Sequence, residues 1–182
     1  RPQGFATPAG KIELASELLP QLGGQRLPEQ GPFMRLCSPE LVERIEARGG
    51  HHVEMLTGSR KQPYNASMYL ENPKFHESYP EPLVEMSEAM AARLGLEPGD
   101  TALLTTDQGE ARFTVALAKM RDDIINVDYG WWRPLDGVPC APDFGGIWDS
   151  NVNTLTSCVL QEPLIGTWAY NAIDCMIEKV RP

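Results

Sequence analysis

Hydrophobic positions recur along this chain in short bursts, separated by polar stretches dense in proline and glycine. Ser38-Pro39-Glu40 opens a helix well, with Ser as N-cap, Pro at the first helical position and Glu in the first turn. Leu41, Val42 and Ile45 give that helix an apolar face, and Gly49-Gly50 stops it. Val53-Glu54-Met55-Leu56 alternates like a strand and runs into the turn-prone Thr57-Gly58-Ser59-Arg60. Residues 61–82, rich in Pro, Asn and Tyr, read as a long irregular loop, a length that usually has a functional reason. Ser87 caps a short helix from Glu88 to Leu94, ended by Gly95. Pro98-Gly99-Asp100 turns the chain into a strand over 101–106. Asp107-Gln108-Gly109 makes a hairpin loop, and the strand returns over 111–117. A third strand covers 124–128 and leads into Gly130-Trp131-Trp132.

The flanks are different. Residues 1–35 are broken by Pro and Gly, with strand-like alternation only over Lys11-Ile12-Glu13-Leu14-Ala15, so they read as an extended arm from an upstream domain. Its apolar positions are expected to pack on that neighbour. Residues 133–150 form another loop, and Asn151 to Thr156 a turn with one helical turn. A last strand runs from Ile173 to Val180. Five or six short strands, two or three short helices and long connections predict a mainly β fold, a small barrel with helical additions, over residues 36–182.

Composition narrows the function. Of 182 residues, 42% are hydrophobic and 23% charged, which is globular composition. The net charge of −9 argues against a nucleic-acid groove, which needs clustered Lys and Arg. No apolar run approaches the ~18 residues a membrane span requires. Sixteen glycines and sixteen prolines fit a loop-rich, short-stranded fold. The chain opens on Arg1-Pro2-Gln3-Gly4-Phe5, without Met, and reads as a piece of a longer polypeptide.

The chemistry-bearing residues are sparse. Cys37, Cys140, Cys158 and Cys175 contain no C-x-x-C pair, so they read as small buried hydrophobes, not as zinc or iron–sulfur ligands. His51-His52 reads as a solvated junction between helix and strand, and no serine sits in G-x-S-x-G. The nucleotide fingerprints G-x-G-x-x-G and G-x-x-x-x-G-K-[ST] are absent. Four features remain. Thr57-Gly58-Ser59-Arg60 can form an anion nest with a cation beside it, or a plain turn. Asn65 and Ser67 follow in the loop, where short polar side chains usually bond their own backbone. Trp131 and Trp132 can wall a planar ligand or pack as core. Asn151 and Asn153 offer paired donors and acceptors suited to a purine or pterin edge.

The order of these features carries more than any one of them. Phe5-Ala6-Thr7-Pro8-Ala9-Gly10-Lys11-Ile12-Glu13 resembles the F-x-T-P-S-G-K-x-E stretch near the C-terminal end of molybdopterin oxidoreductases of the dimethyl sulfoxide reductase family. Leu56 to Arg60, followed by Pro63-Tyr64-Asn65-Ala66-Ser67, resembles that family's T-G-R…H-S segment, and Ser87 to Asp100 its A-x-x-L-G-I-x-x-G-D signature. The tryptophan pair and the setting of Trp148 are similar to the side of the family that holds acetylene hydratase and the catechol dehydroxylases.

The resemblance implies a double-psi β-barrel, as in aspartate decarboxylase, that binds the pyranopterin guanine dinucleotide cofactor as the C-terminal domain of a larger molybdenum or tungsten enzyme. The metal's protein ligand and any iron–sulfur cluster would belong to upstream domains of the same polypeptide, with an electron-transfer subunit as a possible partner. The implied contacts are Thr57, Gly58, Ser59, Arg60, Asn65, Ser67, Trp131, Asn151, Asn153, Tyr170 and Asn171, with no catalytic or metal-binding residue in this chain. Two positions depart from the pattern: Ser59 separates Gly58 from Arg60, and Ala66 stands where a His is common. The competing classes are a self-standing barrel enzyme, for which Gly58-Ser59 is the only Gly-Ser step available for self-processing, and a non-catalytic interaction module.

Overall fold

The computed structural model describes residues 4–27, 34–59, 72–131, 149–161, 166–168 and 171–180. They contain helices α1 (Pro39–Glu46), α2 (Pro73–Ser78) and α3 (Glu88–Leu94). Their strands are β1 (His51–Ser59), β2 (Leu83–Met86), β3 (Thr101–Thr106), β4 (Gly109–Leu117), β5 (Ile124–Asp128) and β6 (Asn171–Lys179). The strands close into a barrel in the order β1-β5-β2-β4-β3-β6. Pairs β1–β5 and β2–β4 are parallel, and the other four are antiparallel. Twice the chain leaves a gap between consecutive strands and fills it later: β5 enters between β1 and β2, and β4 between β2 and β3. This is the expected double-psi barrel.

Alternation along the strands fills its interior. Val53 and Met55, Val84 and Met86, Ala102 and Leu104, Phe113 and Val115, Ile125 and Val127, and Ile173 and Cys175 are all buried in one cluster. α3 closes over that cluster with Met90, Ala91 and Leu94. Its ends follow from local chemistry. The Ser87 hydroxyl accepts from the Met90 amide at 3.1 Å, and Gly95 takes the left-handed conformation that ends the helix. α1 packs outside the barrel, where Leu41 and Ile45 cover Met176 of β6.

Several expectations are corrected. Thr57-Gly58-Ser59 is not a turn but the continuing end of β1, with a bulge at Gly58. A four-residue strand, β2, and a short helix, α2, lie within or beside the stretch read as irregular loop. The alternation over Lys11–Ala15 forms no strand, because none of the described residues pairs with it; Ile12 and Leu14 are 66% and 84% exposed. The chain divides into two compact units, one of residues 1–32 with 161–167, the other of 33–160 with 168–182. Within the first, a 3-10 turn over Leu19–Leu22 starts where the Ser16 hydroxyl accepts from the amides of Leu18 and Leu19, both at 3.2 Å.

Candidate functional site

Closed barrels pair nearly all their backbone, so exposed donors must come from irregularities. Two bulges meet at the end of β1. Thr57 pairs with Val127 and Ser59 with Asp128, which leaves Gly58 as the extra residue, at φ 135°. On the other side Met55 pairs with Ile173 and Leu56 with Asn171, so Ala172 of β6 is extra, at φ 62°. Both residues hold backbone conformations that L side chains rarely adopt, and such strain gathers at ligand sites. The Met34 amide donates to the Ala172 carbonyl at 2.9 Å, which braces the second bulge from outside.

Beside the bulges opens a cleft of about 790 Å³, within the size range of cofactor sites. Thr57, Gly58 and Asn171 supply one wall. The other comes from the 3-10 turn Val152–Leu155 and the residues after it: Asn153, Thr156, Ser157 and Cys158. Tyr129 and Trp168 add aromatic surface. Asn151 is buried and builds this turn rather than lining the cleft. Its Oδ1 accepts from the Asn153 amide at 3.0 Å, and its carbonyl accepts from the Thr154 hydroxyl at 2.8 Å. The turn is pinned to the β3–β4 hairpin, since Thr106 donates its hydroxyl to Leu155 O at 3.0 Å, and Glu110 O, 3.1 Å from the Thr154 hydroxyl, shares that hydroxyl's single proton with the Asn151 carbonyl. Gly109 permits that approach, because a Cβ there would stand 2.9 Å from the Thr154 carbonyl oxygen.

The structure thus brings Thr57, Gly58, Asn153 and Asn171 to one cleft, with Ser59 next in chain on the bulged strand. Trp131 is buried outside its lining, and the aromatic wall expected of it falls to Tyr129 and Trp168. Tyr129 continues the i, i+2 series of Ile125 and Val127, a signal present in the sequence. Arg60, Asn65, Ser67 and Tyr170 lie outside the described residues.

The described lining is uncharged. Its side chains are amides, hydroxyls, one thiol, two aromatic rings and a valine, with no carboxylate to repel a phosphate. Amides and hydroxyls offer both donors and acceptors, the chemistry a pyrophosphate and a heterocycle edge both need. A Cβ on Gly58 would meet Asn171 Oδ1 at 3.4 Å, so the glycine leaves the strand end open toward the Asn171 side chain. The donor set therefore fits a pterin dinucleotide.

Two other sequence readings change. Cys175 is a buried hydrophobe, as expected, but Cys37 is half-buried and Cys158 exposed at the cleft. Burial, then the Asp174 and Asp107 carboxylates, push the Cys37 thiol up to about 12, so it is neutral at ordinary pH. His52 is not merely solvated: its Nε2 lies 2.9 Å from Oδ2 of the buried Asp174.

A closed double-psi barrel with a donor-rich cleft at two bulges, uncharged among the described residues, is the architecture of a cofactor-binding domain. The model of the Molydopterin dinucleotide binding domain matches residues 54–173, and the chain belongs to that family. It is 33% identical over 128 residues to a dopamine dehydroxylase of Eggerthella lenta, covering 69% of this chain and 12% of that protein. It is 27% identical over 174 residues to a probable oxidoreductase, YyaE, of Bacillus subtilis, covering 95% of this chain and 22% of that one. Its fold is similar to that of acetylene hydratase from Pelobacter acetylenicus, with TM-score 0.70 and 21% identity over 98% of this chain and 24% of that one. The resemblance to the molybdopterin oxidoreductases is borne out. The chain spans between an eighth and a quarter of the length of these relatives.

Proposed function

We propose that this chain is the C-terminal part of a larger molybdenum or tungsten oxidoreductase and binds the guanine form of its pyranopterin dinucleotide. Residues 1–35 would be the arm from the upstream domains, and 36–182 the binding domain. The observation that carries the reading is the bulged end of β1, where the family's Thr-Gly segment opens onto a cleft whose described lining holds no carboxylate. In it, Gly58 and Thr57 would present backbone and hydroxyl groups to the pyrophosphate, with Arg60 supplying charge. Asn153 and Asn171 would orient a heterocycle edge, and Tyr129 and Trp168 would shield it from water. The cofactor, when bound, supplies the metal centre for redox or hydration chemistry. This chain binds and orients, and alone it turns over no substrate. The metal's protein ligand, any iron–sulfur cluster and an electron-transfer partner would belong outside it.

The test is cofactor loading of the full-length protein, read as metal and as guanine nucleotide released on acid treatment. Asn171→Ala removes a neutral hydrogen bond of ~0.5–1.5 kcal/mol, so sub-saturated loading should fall roughly two- to tenfold. Arg60→Ala removes a charge-assisted one and should cost about ten- to a hundredfold, while Thr101→Ala, outside the cleft lining, should change nothing. Equal loading in all three variants would refute the site. Turnover by the isolated chain would favour the self-standing enzyme instead.

A further inference from the structure

Away from the cleft, three side chains with metal-ligand chemistry converge from distant parts of the chain. Cys37 stands just before α1, His52 in β1 and Asp174 in β6. His52 pairs with Met176 and Glu54 with Asp174, so His52 and Asp174 are diagonal neighbours on the outer face of the barrel. One ligand atom from each of the three residues lies within 4.8 Å of the others.

Asp174 is 1% exposed, and a buried carboxylate needs compensation. Its Oδ1 accepts from the Leu36 amide, which fixes the plane of the group. Its Oδ2 faces His52 Nε2 at 2.9 Å and, at 3.5 Å, the guanidinium of Arg35, a side chain 58% exposed. That is loose neutralisation for a charge so deep. The trio is also not arranged as a thiol nucleophile with its base, because the Cys37 sulfur is directed to the Thr105 carbonyl at 3.8 Å and His52 to Asp174.

We propose that Cys37, His52 and Asp174 bind a zinc-type divalent cation through thiolate, imidazole and carboxylate. Tetrahedral zinc with ligand bonds of ~2.0–2.3 Å sets its ligand atoms about 3.3–3.5 Å apart. The nitrogen and oxygen need to open by a few tenths of an ångström and the sulfur to close in, movements available to a half-buried Cys37 and a His52 side chain that is 34% exposed. The mixed S, N, O set selects a borderline-soft cation over calcium or magnesium. The Leu36 amide on Oδ1 is the outer hydrogen bond that orients a metal-bound carboxylate. Binding releases the thiol proton, and any proton on the ligating nitrogen, to solvent. Water completes the fourth position. The cation would clasp the segment before α1 to β1 and β6, and would displace Arg35 from Asp174.

The experiment is Co²⁺ titration of the metal-free 182-residue chain, with circular dichroism confirming the barrel in each variant. One equivalent should produce thiolate-to-cobalt charge transfer and tetrahedral d–d bands, Zn²⁺ should displace them, and the melting temperature should rise with Zn²⁺. Cys37→Ser should abolish the charge-transfer band, while Cys140→Ser and Cys158→Ser keep it. His52→Gln should weaken affinity by at least the roughly ten- to hundredfold that losing a ligand's outer hydrogen-bond partner costs. Arg35→Ala should tighten binding, a change that a purely structural Asp174 clamp does not produce. No band at saturating Co²⁺, a band that survives Cys37→Ser, or unchanged affinity in His52→Gln overturns the proposal.

Discussion

Gly58→Ala tests the geometry on which the cleft depends. The extra residue of the β1 bulge holds φ at 135°, where an L side chain costs about 1–3 kcal/mol. The added Cβ would make only ordinary contact, 3.4 Å from Asn171 Oδ1, so backbone strain and not collision sets the effect. Alanine also restricts the unfolded chain, which returns ~0.4–1 kcal/mol. The net loss should be up to about 2.5 kcal/mol. For a chain of this size that is a fall of up to about 10 °C in melting temperature, measured by circular dichroism. The companion change has the opposite sign. Ala172 sits at φ 62°, where alanine is strained by roughly 1–2 kcal/mol; Ala172→Gly relieves this and gives back ~0.4–1 through the unfolded state. It should therefore be neutral or stabilising by up to about 1.5 kcal/mol. If Gly58→Ala melts above the unchanged chain, residue 58 does not hold the bulged conformation, and the argument for an open strand end collapses.

Two further measurements probe the frame that holds the cleft. Ser87→Ala deletes the buried cap on the Met90 amide and should lower stability by about 0.5–2 kcal/mol in denaturant unfolding; an unchanged midpoint would contradict the capping role. Asp100 is held below the ordinary carboxylate range by the Lys179 ammonium, 2.6 Å from its Oδ2, and by the Glu97 amide donating to the same oxygen at 2.8 Å. Its contribution is present above the unfolded value near ~4 and is lost as pH falls through the lower folded value, so Asp100→Asn should flatten the acid limb of melting temperature against pH, and a limb of equal steepness would count against this.

What the sequence disclosed and what it hid divide along physical lines. Both ends of α3 and the start of α1 were legible to the residue, because Ser38, Ser87 and Gly95 act on amides and carbonyls within one turn. The β3–β4 hairpin was legible for the same reason: its signals are adjacent. β2 was not, since four residues carry only two inward positions, Val84 and Met86, and its partners are β4 and β5, far along the chain. The Thr57–Ser59 segment misled because a glycine with positive φ serves a turn and a bulge equally well. In the cleft, Thr57, Gly58, Asn153 and Asn171 came from motif order. Trp168 and Cys158 sit in stretches with no pattern of their own. The contact between His52 and Asp174 spans 122 residues, and no local rule reaches that far.

The location of the cleft follows from the closure of the barrel. Each of the six strands has a neighbour on both sides, so a regular barrel of this kind offers a ligand side chains but few backbone groups. Backbone donors appear only where a strand carries one residue too many. Here both surplus residues flank the end of β1, one on its own strand and one on β6, and both are held at positive φ. Gly58 interrupts the ladder of β1 with β5, and Ala172 interrupts its ladder with β6, so β1 is irregular on both sides near Thr57. The turn after Asn151 then needs only to be seated against the β3–β4 hairpin to complete the opposite wall, and Gly109 allows it to come that close. In the proposed site, the lining side chains Asn153, Thr156 and Ser157 can therefore be varied apart from the core residues Val152 and Leu155 of the same turn, whereas changes at Gly58 or Ala172 act on fold and site together.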